Sequence, residues 1–133
     1  MLQYPPKVLL AFGETFTETD GAFLKWLLEN DYPELAALSS AIRGSYEAQS
    51  WLIRNKFPHL ALLDEAIDNK KHGFEWLKKY NYDFLIVFAD AVHEKEEALK
   101  WLEKNDLQLF IRLAVKIRNF RNNQTYDYHK IHF

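Results

Sequence analysis

The sequence predicts an all-α protein, a right-handed-type α–α superhelix (solenoid) of four helical hairpins with an N-terminal capping helix. The first observation is an internal repeat: the four tryptophans are spaced by 25 residues, and each is followed by a leucine. The second is that apolar residues within each unit recur at helical rather than strand spacing. A period of this length is typical of stacked units, because one unit alone cannot bury its apolar face.

Several positions of the repeat keep their chemical type from unit to unit. The position nine residues after tryptophan is always leucine or phenylalanine, and the position three residues before it is mostly small. Regular positions of a solenoid form the contacts between units, whereas binding positions vary. We therefore expect a structural core formed by Trp26, Trp51, Trp76, Trp101, Leu35, Leu60, Leu85 and Phe110. A line of indoles along a binding groove is the alternative.

The chain is expected to form one domain, which begins with a half-unit at residues 5–20. Leu10 falls in register with Leu35, so this segment predicts one capping helix followed by a loop. Four units follow at about residues 21–45, 46–70, 71–95 and 96–121, and the tail at residues 122–133 has lost the repeat.

Each unit divides into two predicted helices. The first is amphipathic and is expected to end at an asparagine, as at Asn30, Asn55 and Asn105, because asparagine tolerates the left-handed conformation. The second begins at a proline in the first two units, Pro33 and Pro58, where the fixed φ of proline suits the first turn. The second helix is apolar on several faces, which indicates burial between layers.

Composition excludes several classes of protein. The chain has no cysteine, which excludes disulfides and thiolate chemistry. The most apolar stretch, residues 84–92, contains Asp90 and is too short to cross a bilayer. The first residues lack the basic region of a signal peptide. We therefore expect a cytoplasmic protein that does not bind membranes.

The variable positions of the repeat are where we expect function. Seventeen residues after the tryptophans stand Arg43, Asp68, His93 and Arg118, four residues placed on one edge of the predicted solenoid. We predict a non-catalytic scaffold that binds an unidentified protein partner through these residues. The opposite charges of the two ends of the chain would also allow a homodimer.

The C-terminal end suggests an alternative function. Residues 107–133 contain five Lys or Arg against one Asp, whereas residues 1–106 contain twelve against eighteen acidic residues. Basic residues among aromatic ones can bind single-stranded nucleic acid by phosphate contact and base stacking. The candidates are Arg112, Lys116, Arg118, Arg121, Tyr126 and Tyr128. We favour a simpler interpretation, in which an uncovered last helix needs charge for solubility.

Catalytic motifs are absent from the sequence. It contains no nucleophile motif, no glycine-rich phosphate loop and no His-Glu-x-x-His. His129 and His132 lack a third strong ligand. We therefore expect no enzymatic activity, no cofactor and no metal. A hydrolase that uses carboxylates is a third hypothesis, with candidates Asp64, Glu65, Asp68 and Asp90 on the second helices.

The pattern Ala-x-x-Trp-Leu-x-x-Asn, found at residues 48–55 and 98–105, resembles the helical part of ankyrin repeats. The resemblance covers residues 21 to about 120 and extends to other helical hairpins such as tetratricopeptide repeats. The period of 25 residues is shorter than the ankyrin period of about 33, and the Thr-Pro-Leu-His signature is missing. The resemblance implies stacked hairpins that bind macromolecules, and it transfers no binding residue.

Overall fold

The computed structural model describes the backbone of residues 1–131 and the side chains of residues 1–124. In this part of the chain there are nine α-helices and no strand, so the prediction of an all-α protein is confirmed. The helices are α1 (Pro6–Glu14), α2 (Ala22–Glu29), α3 (Pro33–Ile42), α4 (Tyr46–Arg54), α5 (Pro58–Ile67), α6 (Lys71–Lys79), α7 (Asp83–Val92), α8 (Glu96–Lys104) and α9 (Gln108–Ile131).

The helices form two layers. The odd-numbered helices, called the inner helices, contact one another in chain order, and α9 also contacts α1. The five inner helices therefore form a closed ring. Each even-numbered helix, called an outer helix, packs against the inner helices before and after it. Four grooves of the ring are covered in this way, and no described helix covers the fifth, between α9 and α1, which we call the bare groove.

The core lies between the two layers and inside the ring. The leucines that follow the tryptophans are fully buried: Leu27, Leu52, Leu77 and Leu102. Leu35, Leu60, Leu85 and Phe110, the expected core residues of the inner helices, are also buried.

The tryptophans were expected to form the core, but they border it, and Trp26 and Trp51 pack against it as partly buried residues. Trp26, Trp51 and Trp76 are only partly buried, and Trp101 is 42% exposed. The physical reason is helix geometry. Successive residues point about 100° apart around a helix, so only one member of each Trp-Leu pair can face the ring, and that member is leucine.

The expected conformation of the asparagines is also wrong. Asn30, Asn55 and Asn105 have φ of −103°, −103° and −98°, and the side-chain Nδ2 of each donates to the carbonyl of the tryptophan four residues earlier. The left-handed residue is the next one in each unit, with φ between 57° and 72°: Asp31, Lys56, Asn81 and Asp106. Asn81 thus takes the left-handed position itself, which explains its offset in the third unit.

The ring closes where α1 meets α9. Gly13 occupies the repeat position of Leu38, Leu63, Phe88 and Leu113. A Cβ on Gly13 would lie 2.7 Å from Cδ2 of Leu113, so glycine permits the close approach of the two helices. The expectation that the last helix is uncovered is therefore wrong on the side that faces α1.

Side chains beyond Gly13 extend the contact between α1 and α9. Lys116 forms an ion pair with Glu14, and this ion pair lowers the pKa of the Glu14 carboxyl. The rings of Phe16 and Phe120 are 5.7 Å apart. Residues about 100 positions apart in the sequence are thereby held together.

Candidate functional site

The variable residues predicted to bind a partner lie at one end of the ring, which we call the C-terminal end of the ring. Arg43, Asp68 and His93 are the C-caps of α3, α5 and α7. The guanidinium of Arg43 lies 5.4 Å from the ring centre of Phe120, and Nη1 of Arg121 lies 3.3 Å from Oδ1 of Asp68. The last helix therefore links to α3 and α5 here.

The other two variable residues also contact neighbouring helices. Nε2 of His93 donates to the carbonyl of Ala66 at 2.9 Å. Arg118 donates to the carbonyls of Val92 and Ala91 at 2.9 and 2.8 Å, and Nη1 lies 3.0 Å from Glu94. The four side chains thus lie at the same end of the ring without contacting one another in any described interaction, and each contributes a contact between two inner helices.

The residues of the nucleic-acid alternative are divided between contacts and solvent. Lys116, Arg118 and Arg121 pair with acidic groups on other elements. Arg112 is exposed. Tyr126 and Tyr128 lie outside the residues whose side chains are described. Three of the four described cations therefore have intramolecular partners, which reduces the charge they can offer to phosphate.

The carboxylate candidates lie in different surroundings. Asp64 is only 9% exposed and accepts a 3.2 Å hydrogen bond from Nε2 of Gln49. Burial, followed by the charge of Asp68, raises the pKa of Asp64 to about 6. It borders a recess of about 90 Å³, which has room for a few water molecules. Glu65 and Asp90 instead pair with His72 and Lys95.

The histidines whose side chains are described contact different residues and do not contact one another. His59 stacks on Tyr82 with ring centres 5.3 Å apart, and burial followed by the positive N-terminus lowers the pKa of His59. His72 contacts Glu65 at 2.7 Å, and His93 contacts Ala66 as described. Among the described residues there is no group of three ligands suited to a metal ion, and His129 and His132 lie outside the described side chains.

None of the described helices combines the length and hydrophobicity needed to cross a membrane.

Two apolar grooves open on the outer surface. The α1–α2 groove has a volume of about 390 Å³ and is lined by Lys7, Leu10, Ala11, Glu14, Phe23 and Trp26. The α2–α4 groove, of about 360 Å³, lies over α3 and includes Leu24, Leu28, Ala36 and Trp51. Leu10, Phe23 and Leu28 are 45%, 40% and 53% exposed.

These grooves contain the apolar residues that sequence reasoning did not assign to a site. One signal was present: Phe23 stands at a repeat position that is otherwise alanine or glycine. Close helix packing requires a small side chain at this position in the other units. The bulky side chain of Phe23 therefore indicated a different environment, and it lines the α1–α2 groove.

Comparison of the chain with protein-family models, with curated proteins and with solved structures finds no match.

Proposed function

We propose that this protein is a non-catalytic helical-repeat scaffold that binds another protein in the cytoplasm. In this proposal the four hairpins and the capping helix α1 make a right-handed α–α superhelix that has closed on itself. Closure leaves the outer surface, rather than the end of a stack, as the surface available to a partner.

The observation that carries the proposal is the apolar lining of the α1–α2 and α2–α4 grooves. Leu10, Phe23 and Leu28 expose 40% or more of their surface around indoles that are themselves partly exposed. Exposed aromatic and aliphatic side chains that lie next to one another mark interaction surfaces, and tryptophan is enriched among the residues that dominate binding energy.

Asp64 and its recess support the same proposal. A recess of about 90 Å³ is small beside the several hundred Å³ of ordinary ligand pockets. The hydrogen bond from Gln49 gives the buried carboxyl a structural partner. We therefore assign Asp64 to the packing of α5 against α4.

The experiment is affinity purification of the tagged protein from its own cells, with quantitative mass spectrometry. Two groove variants, Phe23→Glu and Leu28→Glu, are compared with a triple variant at the C-terminal end of the ring, Arg43→Ala with Asp68→Ala and His93→Ala. We expect the groove variants to lose protein partners that the triple variant keeps, with helicity checked by circular dichroism.

Two results would contradict this proposal. Loss of the partner in the triple variant alone, with helicity intact, would move the site to the C-terminal end of the ring. A gel shift with single-stranded nucleic acid at low salt that Arg112→Glu removes would favour nucleic-acid binding, because phosphate contacts are strongest at low salt.

A further inference from the structure

The bare groove lies between two inner helices like the four covered grooves, but none of the described helices covers it. In the covered grooves, the ninth residue after tryptophan is buried where an outer helix packs, at Leu35, Leu60, Leu85 and Phe110. Leu10 occupies this position on α1, and it is 45% exposed. The apolar side chain needed to hold an outer helix is thus present without the helix.

The α9 side of the bare groove can be compared with a covered groove. Gly73 of α6 lies against Leu62, Glu65 and Ala66 of α5, because a Cβ on Gly73 would be within 2.8 Å of atoms of all three. The residues at the same repeat positions on α9 are Arg112, Val115 and Lys116. Val115 is 37% exposed. The α1 wall of the bare groove therefore exposes an apolar side chain where the other grooves bury one. The α9 wall exposes Val115 at a position where the covered grooves have the polar residues Ser40, Glu65 and Asp90.

The charge of the bare groove is different from that of the covered grooves. Three positions on each wall define this comparison: Arg112, Val115 and Lys116 on α9, and Lys7, Leu10 and Glu14 on α1. The equivalent positions of the covered grooves contain no Lys or Arg. Glu14 pairs with Lys116. No acidic partner of Lys7 or Arg112 is found among the described residues, and the ammonium of Lys7 lies 5.7 Å from the ring centre of Trp26. A helix that fits this groove would therefore carry acidic residues.

The outer helices themselves show which pattern such a helix needs. Three of them place a small residue four positions before the buried leucine: Ala48 and Leu52, Gly73 and Leu77, Ala98 and Leu102. Residues four apart lie on the same face of a helix. The small residue permits close approach to one inner helix, as Gly73 does on α5, and the leucine fills the core.

We propose that the bare groove binds an acidic amphipathic helix of a partner protein, about two turns long, with a small residue and a leucine four positions apart on its apolar face. Grooves that accept such helices are a recurring mode of recognition. This inference rests on the proposed protein-binding function and assigns an acidic helix of a partner to the bare groove, whose α1 wall shares Lys7, Leu10 and Glu14 with the α1–α2 groove.

None of the described outer helices, and no helix in register with the repeat, is suited to the bare groove. Continuing the repeat beyond Leu102 places Asp127 at the position of the buried leucine, and burial of an unpaired carboxylate is unfavourable. The outer helices of a second copy already bury Leu27, Leu52, Leu77 and Leu102 completely, so they are not free to enter another groove. A separate partner therefore fits best.

The probe is a fluorescein-labelled peptide of residues 95–105 in which Lys100→Glu and Lys104→Glu make the helix acidic. Its binding to the full-length protein is measured by fluorescence anisotropy at low and high salt. We expect saturable binding that weakens with salt, because surface charges are screened. The matched control peptide carries Leu102→Asp as well, and we expect it to bind at least about tenfold more weakly.

Protein variants locate the binding. Val115→Asp changes the α9 wall of the bare groove and no residue that lines the α1–α2 groove, whereas Ile53→Asp changes a side chain on α4 that is 57% exposed. We expect the first to weaken binding at least about tenfold and the second to leave it unchanged. Arg112→Glu should weaken binding of the acidic peptide and strengthen binding of the unsubstituted peptide, which retains Lys100 and Lys104.

The outcomes separate this inference from the proposed function. Absence of peptide binding, or equal loss with Val115→Asp and Ile53→Asp, would overturn the bare groove as a helix-binding site. If Leu28→Glu still removed protein partners in cells, the proposed protein-binding function would stand although the bare groove binds no helix. A wild-type dimer in sedimentation that becomes monomeric with Val115→Asp would show that a second copy covers the bare groove and would also overturn this inference.

Discussion

Asp64 carries a charge that its surroundings disfavour at neutral pH. Its pKa is raised from an ordinary value of 3.8 to about 6, first by burial and then by Asp68. The folded protein therefore binds a proton more tightly than the unfolded chain does. The favourable contribution is complete below pH 3.8 and is lost as the pH rises to about 6.

We predict that Asp64→Asn stabilises the protein at neutral pH, by up to roughly 3 kcal/mol. Asparagine has no charge to desolvate, and its side-chain oxygen can accept the hydrogen bond that Gln49 donates to Asp64. The difference in the free energy of unfolding should be small near pH 4 and should grow until about pH 7. Urea denaturation at several pH values measures it, with the exposed Asp83→Asn as control. A variant less stable than the wild type at pH 7 would contradict the assignment.

Lys56 is held in the left-handed conformation with φ of 72°, at the position where the third unit has Asn81. We predict that Lys56→Asn raises the free energy of unfolding by about 0.5 to 1 kcal/mol, because asparagine adopts this conformation at lower cost than lysine. Thermal denaturation provides the measurement. Lys78→Asn, at an exposed helical position, is the control and should be neutral or slightly destabilising.

The elements of the fold could be predicted from the sequence to different degrees. Pro33 and Pro58 are the first residues of α3 and α5, and the 25-residue period places every helical hairpin in register. The side of each outer helix that faces the ring was harder to predict, because Trp and Leu are adjacent and both apolar. Only their packing in three dimensions shows that the leucines are buried and that Trp26 and Trp51 line the two apolar grooves.

Close packing of α6 on α5 depends on Gly73. A Cβ at this position would lie 2.7 Å from the backbone N of Ala66 and 2.8 Å from the carbonyl oxygen of Leu62. Backbone atoms inside helices cannot move aside at small cost. We predict that Gly73→Ala destabilises the protein by about 1 to 3 kcal/mol, although alanine has the higher helix propensity.

Chemical denaturation measures this effect, and Ser50→Ala on the exposed face of α4 is the control for helix propensity. We expect the control to gain a few tenths of a kcal/mol. If both variants gained stability, the packing of α6 on α5 would not be limited by the side chain at residue 73.

At the scale of the whole molecule, closure of the ring was not predicted from the sequence. Whether five inner helices return to their starting point depends on the angle and distance between units, which the repeat pattern does not contain. The residues that make the contact, such as Glu14 and Lys116, are also far apart in the chain. One local signal existed, namely a glycine at residue 13 where the other units have leucine or phenylalanine.

Gly13→Leu tests closure directly. A repeat that needed only contacts between neighbouring units would tolerate this substitution, because leucine is the commonest residue at the position. We predict instead a loss of about 2 kcal/mol or more, since the new side chain would overlap Leu113. Hydrogen exchange should show lost protection in α1 and α9 together.

The control for Gly13→Leu is Gln108→Pro, which also introduces a residue found in other units. Proline stands at the start of α3 and α5, and Gln108 starts α9. Because proline is favoured at the first position of a helix, we expect this variant to keep its stability. Equal effects of the two substitutions would contradict a special role for Gly13.

The glycine contact between α1 and α9 also bears on how this protein could have changed through gene duplication. Open repeat arrays can gain or lose a unit at little cost, because each unit contacts only its neighbours. Here α1 and α9 must meet at Gly13 and Leu113, so insertion or deletion of one 25-residue copy would separate the two ends. The contact between α1 and α9 thus fixes the number of repeat units. We expect the gene to resist the length variation that open repeat arrays tolerate.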